Sequence, residues 1–336
     1  MTEGIDDQKV HEWLIANVQD LQGPFTYERV AGGRSNLTFV ATDAVGRKLI
    51  VRRPPLSHVI EKAHDMAREY RVIAALGSTP VPVPIARGLC LDRAVTGADF
   101  YVMDFVDGFV PHTEAEAASI DDRRGLSRNV IDVLGDLHDV EPRQVGLGDL
   151  GRGTDYVGRQ LHRWQQAWEL MKQRDLPAMD EVHRRLSAIV PPQQRIVIAH
   201  GDYRLGNMMV DADRITGLLD WELCTLGDPL ADLGYLINNW ADEGEHAEWS
   251  SAPTAIGGFA ARTEMLDWYG DRTGLDLDDI SYYRSFAYWR MGCIVEGVYA
   301  RFLQGAYGTD HGENVSSFAE AVVRMSEAAL EHAPTP

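Results

Sequence analysis

The 336-residue chain reads as an α+β protein of two lobes, a small antiparallel-sheet lobe with one long helix followed by a larger, mainly helical lobe. Five strand-like runs and one long helical pattern precede residue 107. Helical periodicity dominates after Gly108. Only the stretch 195–220 interrupts it, with short apolar runs that end near Asp202, Asn207 and Asp220. These observations divide the chain into 1–106 and 107–336.

In order, residues 6–18 have the apolar spacing of a short amphipathic helix opened by Asp6 or Asp7. "FTYERV" (25–30), "LTFVATD" (37–43) and "KLIVRR" (48–53) carry strand signals, and "DAVG" is the turn between the last two. Over 57–77, Val59, Ala63, Met66, Tyr70, Ile73 and Ala74 recur at helical spacing, with Ser57 as N-cap and Gly77 as stop. "STPVPVP" (78–84) cannot be helix, because alternate prolines remove donors and extend their predecessors. "ARGLCLD" and "FYVMDFV" supply two more strands. Beyond Gly108, helices are expected near 121–140, 155–173, 178–189, 229–240, 256–273 and 281–304.

Composition narrows the function. Apolar residues at 45% and charged residues at 25% are ordinary for a globular chain. With 32 basic against 51 acidic residues, a formal charge of -19 argues against nucleic acid or an anionic membrane as partner, whose phosphates it would repel. Cys90, Cys224 and Cys293 are scattered and odd in number, so neither a disulfide framework nor a zinc cluster is expected, and a reducing cytoplasm fits. The first twenty residues carry acids where a signal peptide carries bases, and no run reaches the roughly 18 apolar residues of a membrane span.

The chemistry concentrates in "IAHGDYRLGNMMV" (198–210) and "ITGLLDW" (215–221). A carboxylate exposed just after a buried strand can accept a proton or hold an attacking hydroxyl. Asp202 and Asn207 taken singly also suit turn caps. As a set with Asp220 they offer the oxygen donors that Mg²⁺ prefers. Glu69 lies on the apolar flank of its helix and needs a cation if buried, which Arg52 can supply; a surface salt bridge is the plain alternative. "AGGRSN" (31–36) could bring backbone N–H groups to phosphate, or be an ordinary hairpin. Asp228 before Pro229 reads as an N-cap, and Asp228, Asp232 and His200 as scaffold.

The run H-G-D-x-x-x-x-N at 200–207 followed by "LLDWE" resembles the aminoglycoside phosphotransferase and choline kinase group, a branch of the protein-kinase-like fold. "HGDYRLGN" with "LDWELCTLGDPLADLGYL" is especially similar to the kinase-like domains fused to some acyl-CoA dehydrogenases and to their free-standing bacterial relatives. The likeness spans roughly residues 25–305 and is most specific in its catalytic half. It implies an ATP-dependent small-molecule kinase requiring Mg²⁺, GTP being an open alternative. Asp202 would be the base for the acceptor hydroxyl, Asn207 and Asp220 the metal ligands, and Arg204 the cation that steadies the moving phosphoryl group or a solvated surface arginine. Arg52, where protein kinases keep lysine, would bind nucleotide phosphates and pair with Glu69. Gly33, Ser35 and Asn36 would approach the phosphates. Met103, Asp104 and Val106, in "YVMDFVDG", would meet the adenine, the last two through main chain. Arg290 or Glu296, in the apolar stretch 281–304, would read an anionic or a cationic acceptor, with a salt bridge to one of the many acids as the plain alternative for Arg290. The acceptor is left open, with a hydroxylated acid, an acyl-CoA and an aminoglycoside-type antibiotic as the candidate classes. The arginine in place of lysine also leaves a regulatory, nucleotide-binding pseudokinase as an alternative.

Overall fold

In the computed structural model, which describes residues 3–30, 36–56, 65–245, 252–305 and 315–335, the chain opens with α1 (Asp7–Asn17), where the Asp6 carboxylate accepts from the Lys9 amide at 3.2 Å. Strands β1 (Thr26–Arg29), β2 (Leu37–Thr42) and β3 (Lys48–Arg53) follow, then α2 (Met66–Leu76), β4 (Ala86–Cys90), the single turn α3 (Arg93–Thr96) and β5 (Phe100–Asp104). The five strands form one antiparallel sheet in the order β1-β2-β3-β5-β4. Gly33, Ser35 and the expected cap Ser57 lie outside the described residues. The helix itself starts at Met66, where the Asp65 carboxylate accepts from the Arg68 amide at 2.9 Å.

The period-two alternation of strands sorts the sheet into two faces. Phe39, Ala41, Leu49, Val51, Phe100 and Val102 are buried in one cluster with Val10 and Leu14 of α1. Ile50 and Arg52, pointing the other way, pair across the ladder with Met103 and Tyr101. On β4, Gly88 is required by the close approach of α1: a Cβ there would sit 2.8 Å from the Trp13 ring.

The second region holds α4 (Glu114–Ala117), α5 (Arg123–Asp139), α6 (Tyr156–Met171) and α7 (Pro177–Ala188). Strands β6 (Val197–Ala199), β7 (Met208–Asp211), β8 (Arg214–Leu218) and β9 (Thr225–Gly227) come next, then α8 (Pro229–Asn238), α9 (Arg262–Thr273), α10 (Ile280–Leu303) and α11 (Ser316–His332). Packed on α6, α7, α8 and α11, α10 is apolar or aromatic around most of its circumference, as a central helix must be.

By contact density the chain forms two compact units. One contains Met1–Phe109, Met209–Asp211 and Ile215–Leu223; the other contains Val110–Met208, Ala212–Arg214 and Cys224–Pro336. The first unit thus runs to Phe109, and most of the β7–β8 hairpin, with Asp220, belongs with the N-terminal strands. Main-chain bonds explain this: Phe109 and Val210 exchange both, at 3.0 and 2.8 Å, and the Leu218 amide donates to Pro82 O at 2.7 Å. Helix α9 begins six residues later than the expected 256, because Gly257 and Gly258 take φ of +85° and +80°. No helix among the described residues is long and apolar enough to cross a membrane.

Candidate active site

Within the first unit, Arg52, Glu69, Tyr101 and Asp220 converge. The β3–β5 register places Arg52 beside Tyr101, and the helical spacing of α2 turns Glu69 inward, where it is 1% exposed. A buried carboxylate must be saturated with donors. Glu69 accepts from Arg52 Nε at 3.2 Å, the Tyr101 hydroxyl at 3.0 Å and Asn36 Nδ2 at 3.2 Å. Burial raises its pKa, Arg52 opposes that rise, and the neighbouring Asp220 charge adds to it. Arg52 also reaches Asp220, Nη2 donating to Oδ1 at 2.6 Å. Burial disfavours the charged guanidinium, but Tyr101, Glu69, Asp220 and Glu222 reverse that effect and hold it charged.

Asp220 is delivered by a strained turn. Its φ is +65°, a left-handed value uncommon for a residue with a side chain. The buried Trp221 closes the turn by donating its indole N–H to Leu218 O at 3.1 Å.

Within the second unit, the loop 200–207 is held from below. Asp232, 2% exposed on α8, accepts the His200 amide at 2.6 Å and the Gly201 amide at 2.8 Å. His138 Nε2 lies 3.4 Å from the same carboxylate, while its Nδ1 lies 2.7 Å from the Tyr269 hydroxyl. A carboxylate only accepts, so the His138 Nε2–H is the donor to Asp232. Burial alone would raise the Asp232 pKa, and these donors bring it below the ordinary value. Gly201, with φ of +83°, makes the turn that presents Asp202.

Asp202 is oriented by its own loop. Asn207 Nδ2 donates to Asp202 Oδ2 at 2.6 Å and to its main-chain carbonyl at 2.9 Å, and Arg204 Nε approaches Oδ1 at 3.3 Å. With its amide hydrogens committed to Asp202, Asn207 presents its carbonyl oxygen as the atom able to ligate a hard cation. The Asp220 carboxylate has the same oxygen chemistry, so both residue types suit Mg²⁺.

The remaining sequence candidates divide. Met103 is buried, Val106 half-buried, and the Asp104 carboxylate accepts from Arg87 Nε at 2.6 Å while its amide donates to Ile85 O. Arg290 and Glu296 both have interior partners. Arg290 is buried and donates to the Gly201 carbonyl and, at 3.2 Å, to the Tyr156 hydroxyl, so it braces the Asp202 loop. Glu296, fully buried, accepts from the Gln173 amide at 2.9 Å and pairs with Arg174 at 3.2 Å. Both thus answer interior demands for charge and hydrogen bonding. Asp228 caps α8 through the Leu230 amide at 3.0 Å and accepts from Tyr283 at 2.8 Å. Sequence reasoning missed Tyr101, His138 and Tyr269, whose partners lie 32, 94 and 131 positions away along the chain.

The chain is 28% identical over 317 residues to acyl-CoA dehydrogenase family member 10 of Mus musculus, covering 90% of this chain but 29% of that relative's length. A crystal structure from Ralstonia eutropha, provisionally assigned as an aminoglycoside phosphotransferase, superposes with a TM-score of 0.79 at 28% identity, covering 98% of this chain and 100% of the other. A thermostable variant of the aminoglycoside phosphotransferase APH(4)-Ia, in ternary complex with AMP-PNP and hygromycin B, shares the fold at 16% identity, with a TM-score of 0.64 over 97% and 100% of the two chains. With the sheet followed by a helical region, and the family model matching residues 26–268, this kinase-like chain belongs to the phosphotransferase enzyme family.

Proposed function

We propose that this chain transfers the γ-phosphoryl group of ATP to a hydroxyl of a small hydroxylated acid or its acyl-CoA ester. The observation that carries the reading is Asp202, a partly buried carboxylate fixed by Asn207 and Arg204 on a loop anchored to Asp232. Asp202 orients the acceptor O–H and takes its proton as the acceptor oxygen bonds to phosphorus. The bond from phosphorus to the bridging oxygen breaks, and a nucleoside diphosphate leaves. Arg204 balances charge on the transferring oxygens, and Arg52, backed by Glu69, binds the nucleotide phosphates. The residues proposed to hold a cation, on their oxygen chemistry, are Asn207 and Asp220. Mg²⁺ bound there would neutralise phosphate charge.

Two relatives support the co-substrates. The APH(4)-Ia complex holds AMP-PNP together with hygromycin B. The mouse relative is an acyl-CoA dehydrogenase family member, which favours an acid or thioester acceptor over an antibiotic here. GTP enters the test as a competing donor.

Radiolabelled phosphate transfer from ATP and from GTP to a panel of hydroxy acids, hydroxyacyl-CoA esters and aminoglycosides tests the reading. Asp202→Ala should lower kcat at least ~10²-fold while nucleotide affinity by calorimetry stays within a small factor, because the carboxylate serves the acceptor. Nucleotide binding with no transfer to any class would turn the assignment to a regulatory pseudokinase.

A further inference from the structure

Arg52 is one cation shared by two carboxylates with different tasks. Its Nε serves Glu69 at 3.2 Å and its Nη2 serves Asp220 at the shorter 2.6 Å. The Glu69 end is fixed, since that side chain is 2% exposed and also saturated by Tyr101 and Asn36. The Asp220 end is open: the carboxylate is 29% exposed. Its left-handed backbone and the Trp221 lock hinder the turn from swinging away. A divalent cation approaching Asp220 therefore meets an oxygen already engaged by a guanidinium. Among the described residues, no three His, Cys, Asp or Glu side chains form a ready-made metal site. Phosphate oxygens compete with Asp220 for the same nitrogen, and a planar guanidinium can keep one nitrogen on Glu69 while the other changes partner.

We propose that Arg52 is a latch on Asp220, closing this carboxylate to free divalent cations until a nucleotide's phosphates draw Nη2 away. The inference rests on the phosphotransferase reading and adds an order to it. Cation and nucleotide bind cooperatively, and the cation alone does not charge the site in advance. Arginine suits position 52 in this role, because its fork spans both carboxylates at once.

The test is Mn²⁺ titrated into the full chain without nucleotide, with unbound Mn²⁺ followed by electron paramagnetic resonance. Arg52→Gln should bind Mn²⁺ about tenfold more tightly than the unaltered protein, the scale expected for removing a charged hydrogen bond that competes for one oxygen. Arg52→Gln combined with Asp220→Asn should lose that gain. Adding ADP should tighten Mn²⁺ strongly in the unaltered protein and much less in Arg52→Gln. Arg52→Lys, gentler on the buried Glu69, should fall between and decides the matter if Arg52→Gln lacks a cooperative melt. Equal Mn²⁺ affinity with and without Arg52, or a gain that survives Asp220→Asn, overturns the latch. Because no transfer is measured, that failure leaves the phosphotransferase reading standing. Failure of transfer across the acceptor panel would likewise leave the Mn²⁺ result untouched.

Discussion

Asp232 shows how much of a loop's shape can depend on one buried carboxylate. It accepts from two successive loop amides and from His138 in a fully buried setting. Asp232→Ala should therefore destabilise the chain by about 3–5 kcal/mol, the usual cost of leaving buried polar partners unpaired. Urea denaturation measures it, and a loss below about 1 kcal/mol would assign the loop's shape to other contacts. Arg290 braces the same loop from the other side through the Gly201 carbonyl. Its side chain also lies over Tyr235, 5.9 Å from the ring centroid. An arginine within this apolar helix thus answers a nearby main-chain carbonyl.

Among the elements, α8 and α10 approach so closely that only glycine fits at position 234. A Cβ there would stand 2.8 Å from the Tyr283 carbonyl carbon and 3.0 Å from its oxygen, both backbone atoms that cannot rotate aside. Gly234→Ala should cost about 1–3 kcal/mol by forcing the helices apart, although alanine is the better helix former. A melting temperature unchanged or raised would show that α10 yields freely. The strands were legible because apolar alternation and turn residues mark them locally. Helix α11 was not anticipated, although Ala321, Val322, Met325 and Ala329 recur at helical spacing and are buried. Small residues give such a pattern little apolar weight until α10 is there to receive it.

For the whole molecule, acid stability is set by groups that resist protonation when folded. His332 is pushed down to about 4, first by burial and then by the Arg284 and Arg262 charges. Its ring lies parallel to Tyr288 at 6.0 Å, on the last turn of α11. A group whose folded pKa lies below its unfolded value favours folding above the unfolded pKa. That contribution is lost as pH falls from about 6.5 towards 4, because the unfolded chain takes the proton first. Thermal melts across that window should show a decline in the unaltered chain that is shallower in His332→Gln. Identical slopes would mean the ring titrates freely in the folded state. The same decline draws on Asp232 at lower pH, since its depressed pKa makes the folded chain resist protonation there too.

Sequence alone determined the class of fold, the order of most elements and the residue types of the proposed chemistry. It could do so because strand alternation, helical spacing and the run from His200 to Asn207 are all short-range patterns. It also placed Glu69 on an inward face and named Arg52 as its partner, since burying a carboxylate on an apolar flank demands a cation. Tertiary structure alone decided which long-range neighbours complete each group. It added Tyr101 and Asn36 to Glu69, turned Arg52 towards Asp220, set Asp232 under the loop and gave Arg290 and Glu296 their interior partners. Those partners are separated along the chain by up to 168 positions. Local periodicity specifies which way a side chain points, and only packing specifies what it meets there.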